Sequence, residues 1–184
     1  MEGHHYFFAL LLPQHIKSYL HEKCEQIKME FPFKKWVHHE DYHITLAFLG
    51  HAQEEQLEKA DMYVKDVLSH SEGFELALHK LGVFGRQDSP RIFWANTKES
   101  QQLTDIRKLV YDSCTKAGFK LDPRHFAPHI TLARNWEGKD RFSLEALKPF
   151  ALEEIIFTAK HVVLYETHLN KTPKYVIKKT YLLC

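Results

Sequence analysis

The pentapeptide His43-Ile44-Thr45-Leu46-Ala47 occurs twice, the second time as His129-Ile130-Thr131-Leu132-Ala133. One copy falls in each half of a 184-residue chain. β-Branched Ile and Thr interleaved with Leu are strand formers. Side chains alternate across a strand, so His and Thr, two positions apart, share one face while Ile and Leu take the other. Each copy therefore presents an imidazole beside a hydroxyl on a rigid strand and can bury its aliphatic side. Duplicated packing alone would preserve the aliphatic positions and let the polar ones drift. Both polar residues persist in register, which points to chemistry.

The remaining pattern predicts helices and strands around these two segments. Residues 6–12 read as an apolar first strand. Pro13 opens a helix to about residue 30, with Ile16, Leu20, Cys24 and Ile27 at helical spacing. Trp36-Val37 is a short strand, the first motif strand covers 42–49, and Gly50 is expected to end it. A second helix covers 53–69. Residues 74–84 and 91–96 pair through a turn. Ser100 is the expected N-cap of a third helix, which Gly118 ends. The second motif strand covers 128–134. A short helix near 143–148 and strands near 153–157, 160–167 and 174–183 follow. Helices segregated from hairpin-connected strands predict an α+β fold rather than a doubly wound sheet. The expectation is one bilobal domain over residues 1–184. It has two pseudo-symmetric lobes of antiparallel strands with outer helices, and both motif strands face a central cleft.

Composition excludes several classes. A formal net charge of +1 provides no global basic field for nucleic acid, so any RNA contact must be local. No apolar run approaches the length of a membrane span, and the short stretch before Pro13 lacks a signal peptide's apolar core. Three cysteines, Cys24, Cys114 and Cys184, fit neither a disulfide framework nor a metal knuckle. Cys24 and Cys114 fall on apolar helix positions, and a reducing cytoplasm is expected. Seven glycines form no phosphate-cradling loop, and no Gly-x-Ser-x-Gly is present for acyl transfer. His-Glu-x-x-His and Cys-x-x-Cys are absent. His38, His39 and His125 are the remaining ligand candidates, but neighbouring histidines on a strand point to opposite faces. No metal and no cofactor are expected.

Two imidazoles across a cleft suit paired acid–base catalysis, one taking a proton from an attacking oxygen and the other giving one to a leaving oxygen. Their ordinary pKa near 6.5 makes both protonation states available near neutrality. Two hydroxyls beside them can donate to two non-bridging oxygens of a phosphate. A tetrahedral phosphorus with in-line attack and departure matches that symmetry.

The chain resembles the 2H phosphoesterase superfamily, and within it the bacterial 2′-5′ RNA ligase branch, whose members act as RNA 2′,3′-cyclic phosphodiesterases. The match is carried by His43-Ile44-Thr45-Leu46-Ala47-Phe48-Leu49-Gly50 and Phe126-Ala127-Pro128-His129-Ile130-Thr131-Leu132-Ala133-Arg134. The strand at 6–13, Trp36-Val37 and Pro90-Arg91-Ile92-Phe93-Trp94 support it. Where family members often carry a basic residue ahead of the first strand, this chain has His4-His5. The resemblance implies that His43 and His129 are the catalytic pair and that Thr45 and Thr131 hold the phosphate. It implies opening of a 2′,3′-cyclic phosphate at its 3′ bond to leave a 2′-phosphate. By the same resemblance His43 protonates the departing O3′ and His129 activates water. The expected partner is an RNA end or nucleotide carrying the cyclic phosphate, met by a monomer without a membrane. Phosphodiesterase action on a small cyclic nucleotide, 2′-5′ RNA ligation and a non-catalytic nucleotide-binding module are the alternatives.

Arg134 is a further substrate-binding candidate as a phosphate neutraliser. Simple alternation puts it on the face opposite Thr131, so it reaches the cleft only through a bulge or the strand end. Arg91 and Arg124 are similar candidates. Tyr6, Phe8, Phe48 and Trp94 are candidates for base stacking.

Overall fold

A computed structural model of the chain describes residues 3–184. In chain order it runs β1 (His5–Leu11), α1 (Gln14–Ile27), β2 (Phe33–Trp36), β3 (His43–His51), α2 (Glu54–Leu68), β4 (Phe74–Gly85), β5 (Pro90–Thr97), α3 (Gln101–Lys116), β6 (Ile130–Trp136), β7 (Ile156–Ala159), β8 (His161–Thr167) and β9 (Tyr175–Leu182). The expected helices form because each has an apolar stripe to bury. In α1 that stripe is Ile16, Leu20, Cys24 and Ile27, and in α3 it is Leu103, Ile106, Val110 and Cys114. Ser100 caps α3 as expected, its hydroxyl accepting the Leu103 N–H.

The strands divide into two antiparallel sheets. One has the order β3-β1-β8-β9 and the other β2-β6-β5-β4-β7. Setting aside β2, the orders superimpose: β3 on β6, β1 on β5, β8 on β4 and β9 on β7. Around the motif strands the chain threads both alike, since β1–α1–β3 and β5–α3–β6 each join two antiparallel neighbours through a helix. This is the pseudo-twofold relation that the duplicated pentapeptide predicts. The motif strands β3 and β6 touch each other where the lobes meet, and α2 packs on α3 and on β9. The main core joins the helices to the sheets' aliphatic faces and includes Phe8, Leu10, Ile44, Phe93, Ile130 and Leu132. A smaller core of Phe7, Ala9, Val163 and Tyr165 lies on the opposite face of the four-stranded sheet.

Several local expectations differ from the structure. Gly50 does not end β3; the strand continues to His51, pairing with His5, and Gly50 adopts a φ of 68° beside a bulge at Leu49. β6 starts at Ile130, so His129 stands just ahead of the ladder. Pro128 beside it has no N–H to extend the pairing. The segment near 143–148 is a 3₁₀ helix, Glu145–Phe150, in which Pro149 removes a backbone donor. His38 and His39 are not on a strand. They open the one-turn 3₁₀ helix His39–Asp41, and their rings stack at 4.4 Å.

Candidate active site

His43 and Thr45 project from β3 onto the same face as their partners across the pair, Leu11 and Ala9. Thr131 lies opposite Trp94, and Trp94 opposite Gly82, on the corresponding face of the other sheet. Both motifs then lose register at the same place. Thr45 pairs with Ala9 but Ala47 with Phe8, so Leu46 is an extra residue; Thr131 pairs with Trp94 but Ala133 with Phe93, so Leu132 is. Both leucines and both alanines are buried. Each bulge resets the alternation by one residue, turning position 48 in one copy and 134 in the other back to the His-x-Thr face. The bulge thus brings Arg134 to the side of Thr131, and Phe48 is its pseudo-symmetric counterpart. Phe48 is 54% exposed, an apolar ring held at the surface of this face.

The two imidazoles are held alike. His43 Nδ1 donates to the carbonyl of Asp41 at 2.7 Å, and His129 Nδ1 to that of Ala127 at 2.8 Å. A carbonyl can only accept, so each ring carries its proton on Nδ1 when neutral and offers the Nε2 lone pair. His43 Nε2 meets the Thr45 hydroxyl at 2.9 Å. Aromatic rings fix the planes: Phe7 lies 4.8 Å and Tyr175 5.3 Å from the His43 ring, and Phe84 meets His129 edge-on at 4.9 Å.

Electrostatics place both rings in one field. Burial pushes the His43 pKa down to about 4, the charges of His129, Lys174 and Lys17 push the same way, and the Asp41 carbonyl resists. Burial also lowers His129, with Arg134 acting in the same direction. Lys174 is lowered by burial and by Arg134. A local positive patch therefore exists despite the balanced overall charge, and Lys35, paired with Arg134 across β2 and β6, extends it.

Sequence reasoning missed Asp41, Lys174 and Tyr175. The Asp41 carboxylate is buried and accepts the backbone N–H groups of Lys174 and Tyr175 at 3.0 and 3.1 Å. An acidic residue two places before the first motif was the only signal in the sequence. Trp94 fits the cleft face, whereas Phe8 is fully buried in the core on the other side of the sheet and cannot stack a base. Arg124 is engaged with Asp122 in an exposed loop. His38, His39 and His125 form no ligand group with a third donor; among the described residues the one three-donor cluster lies elsewhere, at His4, Glu166 and His168.

Paired imidazoles, adjacent hydroxyls and flanking cations define a candidate two-histidine acid–base centre for an anionic substrate. A profile of the 2′-5′ RNA ligase superfamily matches residues 13–171. The RNA 2′,3′-cyclic phosphodiesterase of Geobacillus stearothermophilus is 42% identical over 175 residues, covering 95% of this chain and 56% of that protein. The chain thus spans little more than half the length of that relative. The RNA 2′,3′-cyclic phosphodiesterase of Bacillus subtilis is 34% identical over 171 residues, covering 93% and 92%. The chain belongs to the 2′-5′ RNA ligase superfamily. Its fold is that of Escherichia coli LigT crystallised with 3′-AMP, at a TM-score of 0.81 and 22% identity over 99% of both chains. Thermus thermophilus TT0787 has the same fold, at 0.79 and 21% identity over 97% of both chains. Among the described residues no helix is long and apolar enough to cross a membrane.

Proposed function

We propose that this chain is an RNA 2′,3′-cyclic phosphodiesterase working by two-histidine acid–base catalysis, as a single bilobal domain over residues 1–184. The observation that carries the reading is the repeated unit itself: two bulged strands, each presenting an Nδ1-anchored imidazole and a threonine. The names of the Geobacillus and Bacillus relatives support the substrate class. LigT, whose fold this chain shares, forms a complex with 3′-AMP, which supports a nucleotide as the ligand class.

The reaction balances as follows. His129 takes a proton from water, whose oxygen forms a bond to phosphorus. The P–O3′ bond breaks, and His43 supplies the proton that O3′ needs. A 2′-phosphate and a 3′-hydroxyl result. Thr45 and Thr131 hold the two non-bridging oxygens, and Arg134 offsets the phosphate charge. No step requires a metal. The free, buried thiols of Cys24 and Cys114 suit a reducing cytoplasm, and the enzyme is read as a monomer.

The test is turnover of an oligonucleotide ending in a 2′,3′-cyclic phosphate, with the product's phosphate position read by phosphorus NMR and a cyclic mononucleotide run alongside. His43→Ala and His129→Ala should each cost at least about 10²–10⁴-fold, the usual worth of an acid–base group. EDTA should change nothing. Near-full activity in either variant, or tight nucleotide binding without turnover by the intact chain, would overturn the reading.

A further inference from the structure

His4, Glu166 and His168 each bring one donor atom to within 4.8 Å of the others. They come from the two ends of the chain and meet where β1 begins and β8 ends. Tyr6, Glu166 and His168 alternate in phase with the core residues Phe8 and Leu164, so this group lies on the helix-side face of the four-stranded sheet. His43 and Phe7 are on the other face. The cluster is therefore back to back with the proposed catalytic cleft and takes no part in it.

Its details are those of a ligand set. The His4 Nδ1–H donates to the Thr167 carbonyl at 2.9 Å, which fixes the tautomer that leaves the Nε2 lone pair free. His168 Nε2 is 2.6 Å from Glu166 Oε1, and the two imidazole rings face each other at 4.3 Å. The other carboxylate oxygen, Oε2, accepts from the Tyr6 hydroxyl at 2.8 Å, an outer hydrogen bond that orients the carboxylate. Glu166 is 8% exposed, and a buried carboxylate of this kind is held by paired groups. Lys178 lies 3.7 Å from Oε2 and is half-exposed.

We propose that His4, Glu166 and His168 form a binding site for a divalent transition metal, with zinc the best fit. Two imidazoles and one carboxylate suit zinc better than calcium or magnesium, which take oxygen donors. Zinc bonds of about 2.0–2.1 Å in a tetrahedron place donors roughly 3.3 Å apart, so the cluster needs only a small contraction. A metal on His168 Nε2 takes the place of its hydrogen bond to Glu166, and the neutral ring then carries its proton on Nδ1. A pocket lined by His4, Tyr6, His51 and Gln53 opens beside the cluster. The bound metal would clasp the N-terminal strand to the end of β8.

The experiment uses the full chain, stripped with chelator and titrated with Zn²⁺ and Co²⁺. Calorimetry should show one equivalent of Zn²⁺ bound with micromolar or tighter affinity. Co²⁺ should give visible absorption bands that Zn²⁺ removes, and the melting temperature should rise with Zn²⁺. His4→Ala, on an exposed side chain, and His168→Ala should each weaken binding by at least about 10-fold and abolish the thermal shift. His5→Ala and the His38→Ala/His39→Ala double variant should bind as the parent does. Absence of binding, or binding that survives His4→Ala and His168→Ala, would overturn the site. Phosphodiesterase turnover is not a readout of this test.

Discussion

The buried carboxylate of Asp41 accepts the backbone N–H of Tyr175 at 3.1 Å, while the carbonyl of the same residue accepts His43 Nδ1–H at 2.7 Å. One residue thus joins the start of β9 to the imidazole of the first motif. The Tyr175 ring, carried by that strand, meets the His43 ring edge-to-face at 5.3 Å.

Asp41→Asn tests this tie. One carboxylate oxygen accepts from Tyr175 and the other from Lys174. An amide keeps one acceptor and turns an NH₂ toward the second N–H, leaving a buried donor unpaired. The expected loss is about 1–3 kcal/mol of stability, measured by urea unfolding. Turnover should fall through kcat more than KM, because the ring against His43 loosens while Arg134 stays in place. Unchanged stability would show that the carboxylate is not a fixed partner of this hairpin.

The Trp94 indole covers Gly82. A Cβ at Gly82 would come within 2.3 Å of the indole. Trp94 is also the cross-strand neighbour of Thr131 and packs 5.3 Å from Phe84, the ring that meets His129. Gly82→Ala should therefore displace the indole, costing about 1–3 kcal/mol as an overpacked contact. It should also reduce turnover without touching a titratable group. A variant with parental melting temperature and activity would contradict this packing.

Arg134 and Phe48 occupy equivalent places but differ in kind, and their variants should differ too. Arg134→Met removes a cation from the phosphate side, so KM for a cyclic-phosphate end should rise and lose part of its salt dependence. Phe48→Ala should leave the salt dependence intact. If Phe48 stacks a base, its loss raises KM for an oligonucleotide at a cost of about 1–3 kcal/mol. Equal salt slopes in the parent and Arg134→Met would remove Arg134 from the site.

The secondary structure was legible because periodicity and punctuation agree locally: Ser100 and the i, i+4 stripes of α1 and α3 lie in short windows. The motif was legible because its two halves are identical. The bulges were not. Leu46 and Leu132 are ordinary strand residues, and only pairing with β1 and β5 reveals that each is supernumerary. That one-residue slip decides on which face Arg134 falls, so alternation alone left its position open. Lys174 and Tyr175 were illegible for another reason. They are distant in sequence from His43 and reach it only through the β8–β9 pairing and a buried aspartate.

The pH dependence of turnover follows from the shifts of the two imidazoles. Both are lowered from 6.5, His43 to about 4, chiefly by burial, so both rings are neutral in the free protein near neutral pH. In the proposed mechanism the base is then ready, but the acid is mostly unprotonated. Activity rises with pH as the base loses its proton and falls as the acid loses its own, giving a bell for kcat/KM centred below pH 6.5. A bound phosphodiester anion favours the imidazolium form, so the alkaline limb of kcat should lie at higher pH than that of kcat/KM. The limbs belong to the coupled pair, and one substitution helps to separate them. Arg134 depresses His129, so Arg134→Met should move the limb that depends on His129 upward and leave the other nearly in place. Rate profiles of the parent and Arg134→Met across the acid-to-neutral range check both statements. A kcat/KM maximum well above neutrality, or identical limbs in the two proteins, would mean that burial and Arg134 do not set these titrations.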